Sequence, residues 1–166
     1  MLAETLEEQL TAELSELHDG SLCLLLTLPV FERMLICPTS SAEFRELHGA
    51  MGQHLTELDR TLGWVRYGRA REDSELTRQL FTAVTELHAE RPSPERDLTV
   101  LSTVQHAQLY LLGSCGFAIR CARQAERSAI ADVLEESVRL LRSVGFPSVL
   151  SSMSDSPLYD RLAAVA

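Results

Sequence analysis

Residues 101–112 read LSTVQHAQLYLL, and the spacing inside this stretch decides the fold. Leu101, Gln105, Gln108 and Leu112 recur at intervals of four, three and four, which on a helix turns all of them to one side. Two amides on an otherwise apolar stripe need partners, because a buried amide left unbonded costs roughly 1–3 kcal/mol. Immediately upstream, Ser93-Pro94-Glu95 offers an N-cap, a proline for the first helical position and an acid near the positive end of the dipole. The periodicity then runs to about Gln124. Gly113 and Gly116 fall inside this helix, each costing roughly 1 kcal/mol relative to alanine. Their spacing predicts a small-residue face that admits a second backbone.

The same period governs the rest of the chain. A first helix is predicted from about Ala3 to Arg33, with Leu10, Leu14, Leu17, Ser21, Leu24 and Leu28 on one stripe and Pro29 kinking or ending it. After Cys37-Pro38, the run Ser40-Ser41-Ala42-Glu43 reads as a capping box for a helix reaching about Tyr67 and closed by Gly68. A shorter helix from Ser74 to Glu90 carries Leu76, Leu80, Phe81, Val84 and Leu87 and is suited to capping the bundle. A further helix spans about Arg127 to Val144 with Ile130, Val133, Leu134, Leu140, Leu141 and Val144, and Gly145-Phe146-Pro147 interrupts it. Ser156-Pro157 starts a last helical turn, and the tail from Leu158 to Val165 is apolar.

At 166 residues the chain fits one domain that folds without staples. Hydrophobic residues make up 45% and aromatics only 5%, which favours helices packed by aliphatic side chains. The net charge of −9 opposes binding to nucleic acid or anionic lipid. All 15 basic residues are arginine, so phosphate-loop, Schiff-base and general-base lysines are excluded. Cys23, Cys37, Cys115 and Cys121 lack C-x-x-C spacing, and the N-terminus does not read as a signal peptide, so a cytoplasmic protein with reduced thiols is expected. The apolar run 22–30 is far shorter than the ~20 residues needed to cross a bilayer and reads as core.

Four stretches carry a resemblance to a known family: Glu13-Leu14-Ser15-Glu16-Leu17-His18-Asp19 with Leu22 and Leu28-Pro29; His54-Leu55-Thr56-Glu57-Leu58-Asp59; Val104-Gln105-His106-Ala107-Gln108 with Gly113-Ser114; and Val133-Leu134-Glu135-Glu136-Ser137-Val138. Spread over residues 5–144, they make the chain similar to the bacterial YciE/YciF family of ferritin-like stress proteins. The resemblance implies an all-α, ferritin-like antiparallel four-helix bundle with an additional shorter helix, commonly dimeric, whose helices present glutamates and histidine to a di-metal centre. Placed on that pattern, the first-helix glutamate falls on Ser21, and the second-helix Glu-x-x-His falls on Gly49 and Gly52. The long-helix glutamates fall on Gln105 and Gln108, and the last acidic cluster on Arg139, Leu140 and Leu141. Two divalent metals need several carboxylates for charge balance, which amides, a hydroxyl and glycines do not supply.

The expectation is a single domain over residues 1–166, not an enzyme, with no metal and no cofactor. It acts by protein–protein association, as a homodimer or an adaptor, with bacterial stress response implied by the resemblance alone. One alternative is a weak metal or oxidant site built from His54, His106 and Glu57; another is an apolar ligand, a lipid or tetrapyrrole, held among the leucines. His18 beside Asp19, and Glu86 beside His88, are spaced badly for chelation. Cys115 with Cys121 reads as packing, Arg66, Arg69 and Arg71 as a solvated loop, and Arg120, Arg123 and Arg127 as an exposed basic side. Ser114, His106 and Asp97 lack the elbow and oxyanion loop of a hydrolase.

Overall fold

A computed structural model describes residues 2–65 and 74–145. The tail beyond Gly145, Gly68 and the cluster Arg66, Arg69 and Arg71 therefore lie outside the described residues. Five helices and no strand occur among the described ones: α1 (Leu2–Met34), α2 (Pro38–Leu62), α3 (Glu75–Ala89), α4 (Pro94–Gln124) and α5 (Ser128–Ser143).

Helix α1 buries the predicted stripe completely, with Leu10, Leu14, Leu17, Ser21, Leu24 and Leu28 all at 1% exposure or less. It continues through Pro29 to Met34, so the proline removes a ladder bond without ending the helix. By length and composition Thr5–Met34 is apolar enough to cross a membrane, but half of its most apolar window is buried inside the bundle. Leu24 and Leu28 are core, while Leu22 and Leu26 face outward.

Side-chain contacts fix the directions. His18 Nε2 lies 2.9 Å from Asp59 Oδ1 and Arg45 Nε donates to Glu32 Oε1 at 3.0 Å, so α2 runs antiparallel to α1. Arg96 on α4 reaches the Met34 carbonyl at the end of α1, while Arg127, just past α4, reaches Glu7 near its start; α4 also runs against α1. Arg123 pairs with Glu135, turning α5 back along α4. Helices α1, α2, α5 and α4 close a ring, each packed on the next. Helix α3 does not cap an end: it packs on the outside of α1 and α4, with Leu76 beside Gly20 and the Thr77 carbonyl beside Cys23. It runs parallel to α1 and returns the chain from the end of α2 to the start of α4, the single long crossover of ferritin-like bundles. A Cβ on Gly20 would stand 3.0 Å from Leu76 Cδ2, so this glycine, and not Gly113 or Gly116, permits a close helix approach.

Two boundaries and one burial differ from the sequence reading. Helix α2 begins at Pro38 with Cys37 as N-cap, leaving Ser40 inside the helix with a buried hydroxyl that has no hydrogen-bond partner among the described residues. It ends at Leu62 and not near Tyr67, because Trp64 and Val65 donate to Thr61 and Leu62 and tighten the chain out of the α ladder. On α3, Phe81 is 59% exposed and does not join the core. The predicted cap Ser93 forms, accepting from the Arg96 amide, and Ser74 caps α3 in the same way by accepting from the Thr77 amide. No described atom outside its own helix comes within 4 Å of a Cβ placed on Gly113 or Gly116. Gly113→Ala is thus expected to stabilise the fold by about 0.5–1 kcal/mol in urea unfolding; a loss of stability would mean that a neighbour does occupy this face.

Candidate functional site

The ferritin-like arrangement sets its reactive centre midway along the bundle, where inward residues of four helices meet: one position on each of two helices and an i, i+3 pair on each of the other two. On α2 the inward stripe is Phe44, Leu47, Met51, His54 and Leu58, all at 1% exposure or less. The inward i, i+3 pair is therefore Met51 with His54. Gly49 is exposed and Gly52 half-buried, with open space around both, so neither occupies the interior register assigned to it. On α5 the buried stripe is Ile130, Leu134, Ser137 and Leu141, which makes Leu134 with Ser137 the second pair. Leu140 lies half-buried on the flank. The unbroken three-four spacing of these stripes was the available signal, and it passes through 51 and 54, not 49 and 52.

Helix α4 shows the same shift. Its buried positions Leu101, Val104, Gln108, Leu111, Cys115, Ala118 and Ala122 follow the core, while Gln105 and Leu112 are only half-buried. Gln108 is 1% exposed, and its Nε2 donates to the carbonyls of Leu141 at 3.2 Å and Gly145 at 2.8 Å. The amide satisfies carbonyls at the C-terminal end of α5, a use for which a carboxylate would have been repelled.

At the centre stands His54, fully buried between two hydroxyls. Its Nδ1 bonds the Ser137 hydroxyl of α5, and its Nε2 lies 3.1 Å from Ser21 Oγ of α1. One imidazole thus joins three helices. Burial, helped by the positive potential of nearby His18, lowers its pKa to about 4 and keeps the ring neutral at ordinary pH. A neutral ring has one donor and one acceptor nitrogen, and rotatable hydroxyls complement either tautomer.

The donor set does not fit a di-metal centre. Asp97 is the one buried carboxylate among the described residues, and it sits at the far end of the bundle, accepting from the amides of Ile36 and Cys37. No three His, Cys, Asp or Glu side chains among the described residues come together in a metal-binding group. The trio of His54, His106 and Glu57 is not assembled either. His106 is exposed and lines a cleft of about 420 Å³ between α3 and α4. Glu57 is half-buried and pairs with Arg60 on the wall of a groove of about 590 Å³ between α2 and α5. That groove is also lined by Asp132, Glu136 and Leu140, with the edge of Ser137 at its floor.

Hydrolytic chemistry is equally poorly served. Ser137 is 2% exposed, and a base with a pKa near 4 is mismatched to proton abstraction at neutral pH. No disulfide joins the cysteines, and burial raises the thiols of Cys23, Cys115 and Cys121, that of Cys115 to about 12. They behave as small apolar side chains. The arginines read as an exposed basic side are engaged within the chain: Arg123 with Glu135, Arg127 with Glu7, and Arg120 over the Phe117 ring at 5.6 Å.

The sequence matches no family model and no curated protein. Among solved structures, that of the E. coli stress protein YciF matches with a TM-score of 0.72, covering 89% of this chain and 92% of that one at 15% identity. The likeness shows the ferritin-like helical fold.

Proposed function

We propose, from the fold shared with YciF, that this chain is a ferritin-like bundle without a di-metal centre that works by associating with other protein surfaces and does not catalyse a reaction. The observation that carries this reading is the centre of the bundle: Ser21, Met51, His54, Leu134 and Ser137 stand where a di-metal site needs carboxylates. One neutral imidazole and two hydroxyls cannot balance four positive charges. Leucines pack the remaining volume, so an apolar ligand would first have to displace them. Four cysteines outside any disulfide agree with a reducing, cytoplasmic setting. A role in stress response extends to this chain only what the name of YciF says of that protein.

Metal analysis of protein purified without chelators tests the proposal. The expected content of iron, manganese and zinc is far below one ion per chain. Two ions per chain, retained through gel filtration, would overturn it.

A further inference from the structure

We infer that the groove between α2 and α5 seats a basic amphipathic helix of a partner protein. The inference rests on the association reading above and names the surface and the chemistry it takes. The groove encloses about 590 Å³, a volume that holds several side chains. Val133 and Leu140, two turns apart on α5 and both half-buried, give it an apolar lining continuous with the core. Across from them α2 contributes Gln53 and Thr56, both exposed and neither bulky, so the two antiparallel helices stand open along this side. A furrow of this kind admits the apolar stripe of a third helix, whose side chains enter it at three-four spacing.

The charges select the occupant. Glu57 of α2 with Asp132 and Glu136 of α5 line the groove against Arg60, three carboxylates to one cation. Two further arginines approach the α5 acids but do not line the groove, and neither uses up the acceptors there. Arg123 Nη2 stands 3.8 Å from Asp132 Oδ1, beyond hydrogen-bond reach, and Arg139 takes one oxygen of Glu136 on its own helix. Asp132 and Glu136 are 71% and 69% exposed, and pairs so open to water contribute little, so little is lost when a partner's cation replaces them. Four residues apart, the two acids sit side by side along one wall. Arginine or lysine on a partner helix meets them with its head while its methylene stem covers Val133 and Leu140. An acidic helix would gain the same apolar contact only by setting like charges together. The net charge of −9 draws a basic partner from a distance.

Isothermal titration calorimetry with two synthetic amphipathic helices tests this, one carrying leucine and arginine and the other leucine and glutamate in the same pattern. Far-UV circular dichroism checks that every variant of the protein remains helical. The arginine peptide is expected to bind and the glutamate peptide not to. Asp132→Arg with Glu136→Arg should weaken binding at least tenfold, and Thr56→Trp, which fills the groove from an exposed position without altering charge, about tenfold. Glu8→Arg with Glu86→Arg, exposed acids outside the groove, should leave it nearly unchanged. No binding of the arginine peptide overturns the inference and leaves association through another surface standing. Equal loss in both pairs of charge reversals, or binding indifferent to Thr56→Trp, shows attraction to the net charge alone and overturns the groove. Spermidine binding as tightly as the peptide, and lost in the same variants, would make the groove a polyamine site and overturn the protein partner.

Discussion

Replacing Asp97 by alanine is expected to cost about 3 kcal/mol of folding stability, with the fold retained. The carboxylate is 4% exposed and accepts from Ile36 N–H at 2.9 Å and Cys37 N–H at 3.2 Å, the residues that lead into α2. Hydrogen bonds to a charged group contribute roughly 1.5–3 kcal/mol, and loss of a helix N-cap costs roughly 0.5–2 kcal/mol. Cys37, at the N-cap position of α2, caps no helix amide with its own side chain. Beside it, Arg96 places its guanidinium on the carbonyls of Met34 and Glu90, a cation at the negative ends of α1 and α3. The start of α4 thus caps three helices at once. Thermal unfolding should show Asp97→Ala melting about 6–12 °C below the native chain, on the scale of 2–4 °C per kcal/mol for a domain of this size. Asp97→Asn should retain part of the loss, because its amide oxygen can still accept. An unchanged melting temperature for Asp97→Ala would show that solvent serves the α2 amides as well as the carboxylate does.

Acid should weaken the fold through His54 by a similar amount. Its pKa is 6.5 in the unfolded chain and about 4 when buried, so between those values the unfolded state holds a proton that the folded state refuses. Stability is therefore fully present above pH 6.5 and falls as the pH drops towards 4, by about 3 kcal/mol at roughly 1.4 kcal/mol per unit. Urea unfolding at pH 7 and pH 4 for the native chain and His54→Gln isolates this contribution from the carboxylates that titrate in both. The native chain should lose about 3 kcal/mol more than the variant over that interval. In the native protein, the His54 ring resonances should titrate near pH 4; a midpoint near 6.5 would mean that water reaches the Ser21–His54–Ser137 cluster.

Both predictions arise from residues that sequence reading treated differently. Asp97 entered only as a nominal member of a hydrolase triad, but it lies apart from exposed His106 and holds the turn into a neighbouring helix. His54 entered as a candidate ligand beside His106 and Glu57. The structure buries it and supplies both partners from other helices. Gln105 and Gln108 entered as equals, yet only Gln108 is buried. Over the long helix the three-four stripe runs through 101, 104, 108 and 111, leaving Gln105 on the flank.

Periodicity and capping chemistry by themselves determined the helices: the leucine stripe of α1, the serine cap of α4 and the extent of α4 to Gln124 all depend on residues within one turn of each other. Only the tertiary structure decided where α2 starts, because the turn into it is held by a carboxylate about sixty residues away that accepts from Ile36 and Cys37, and Pro38 already fits a first turn. It also decided what the centre contains. Which residue faces His54 depends on the relative rotation of α1, α2 and α5, a quantity set by packing across the core and written in no single helix.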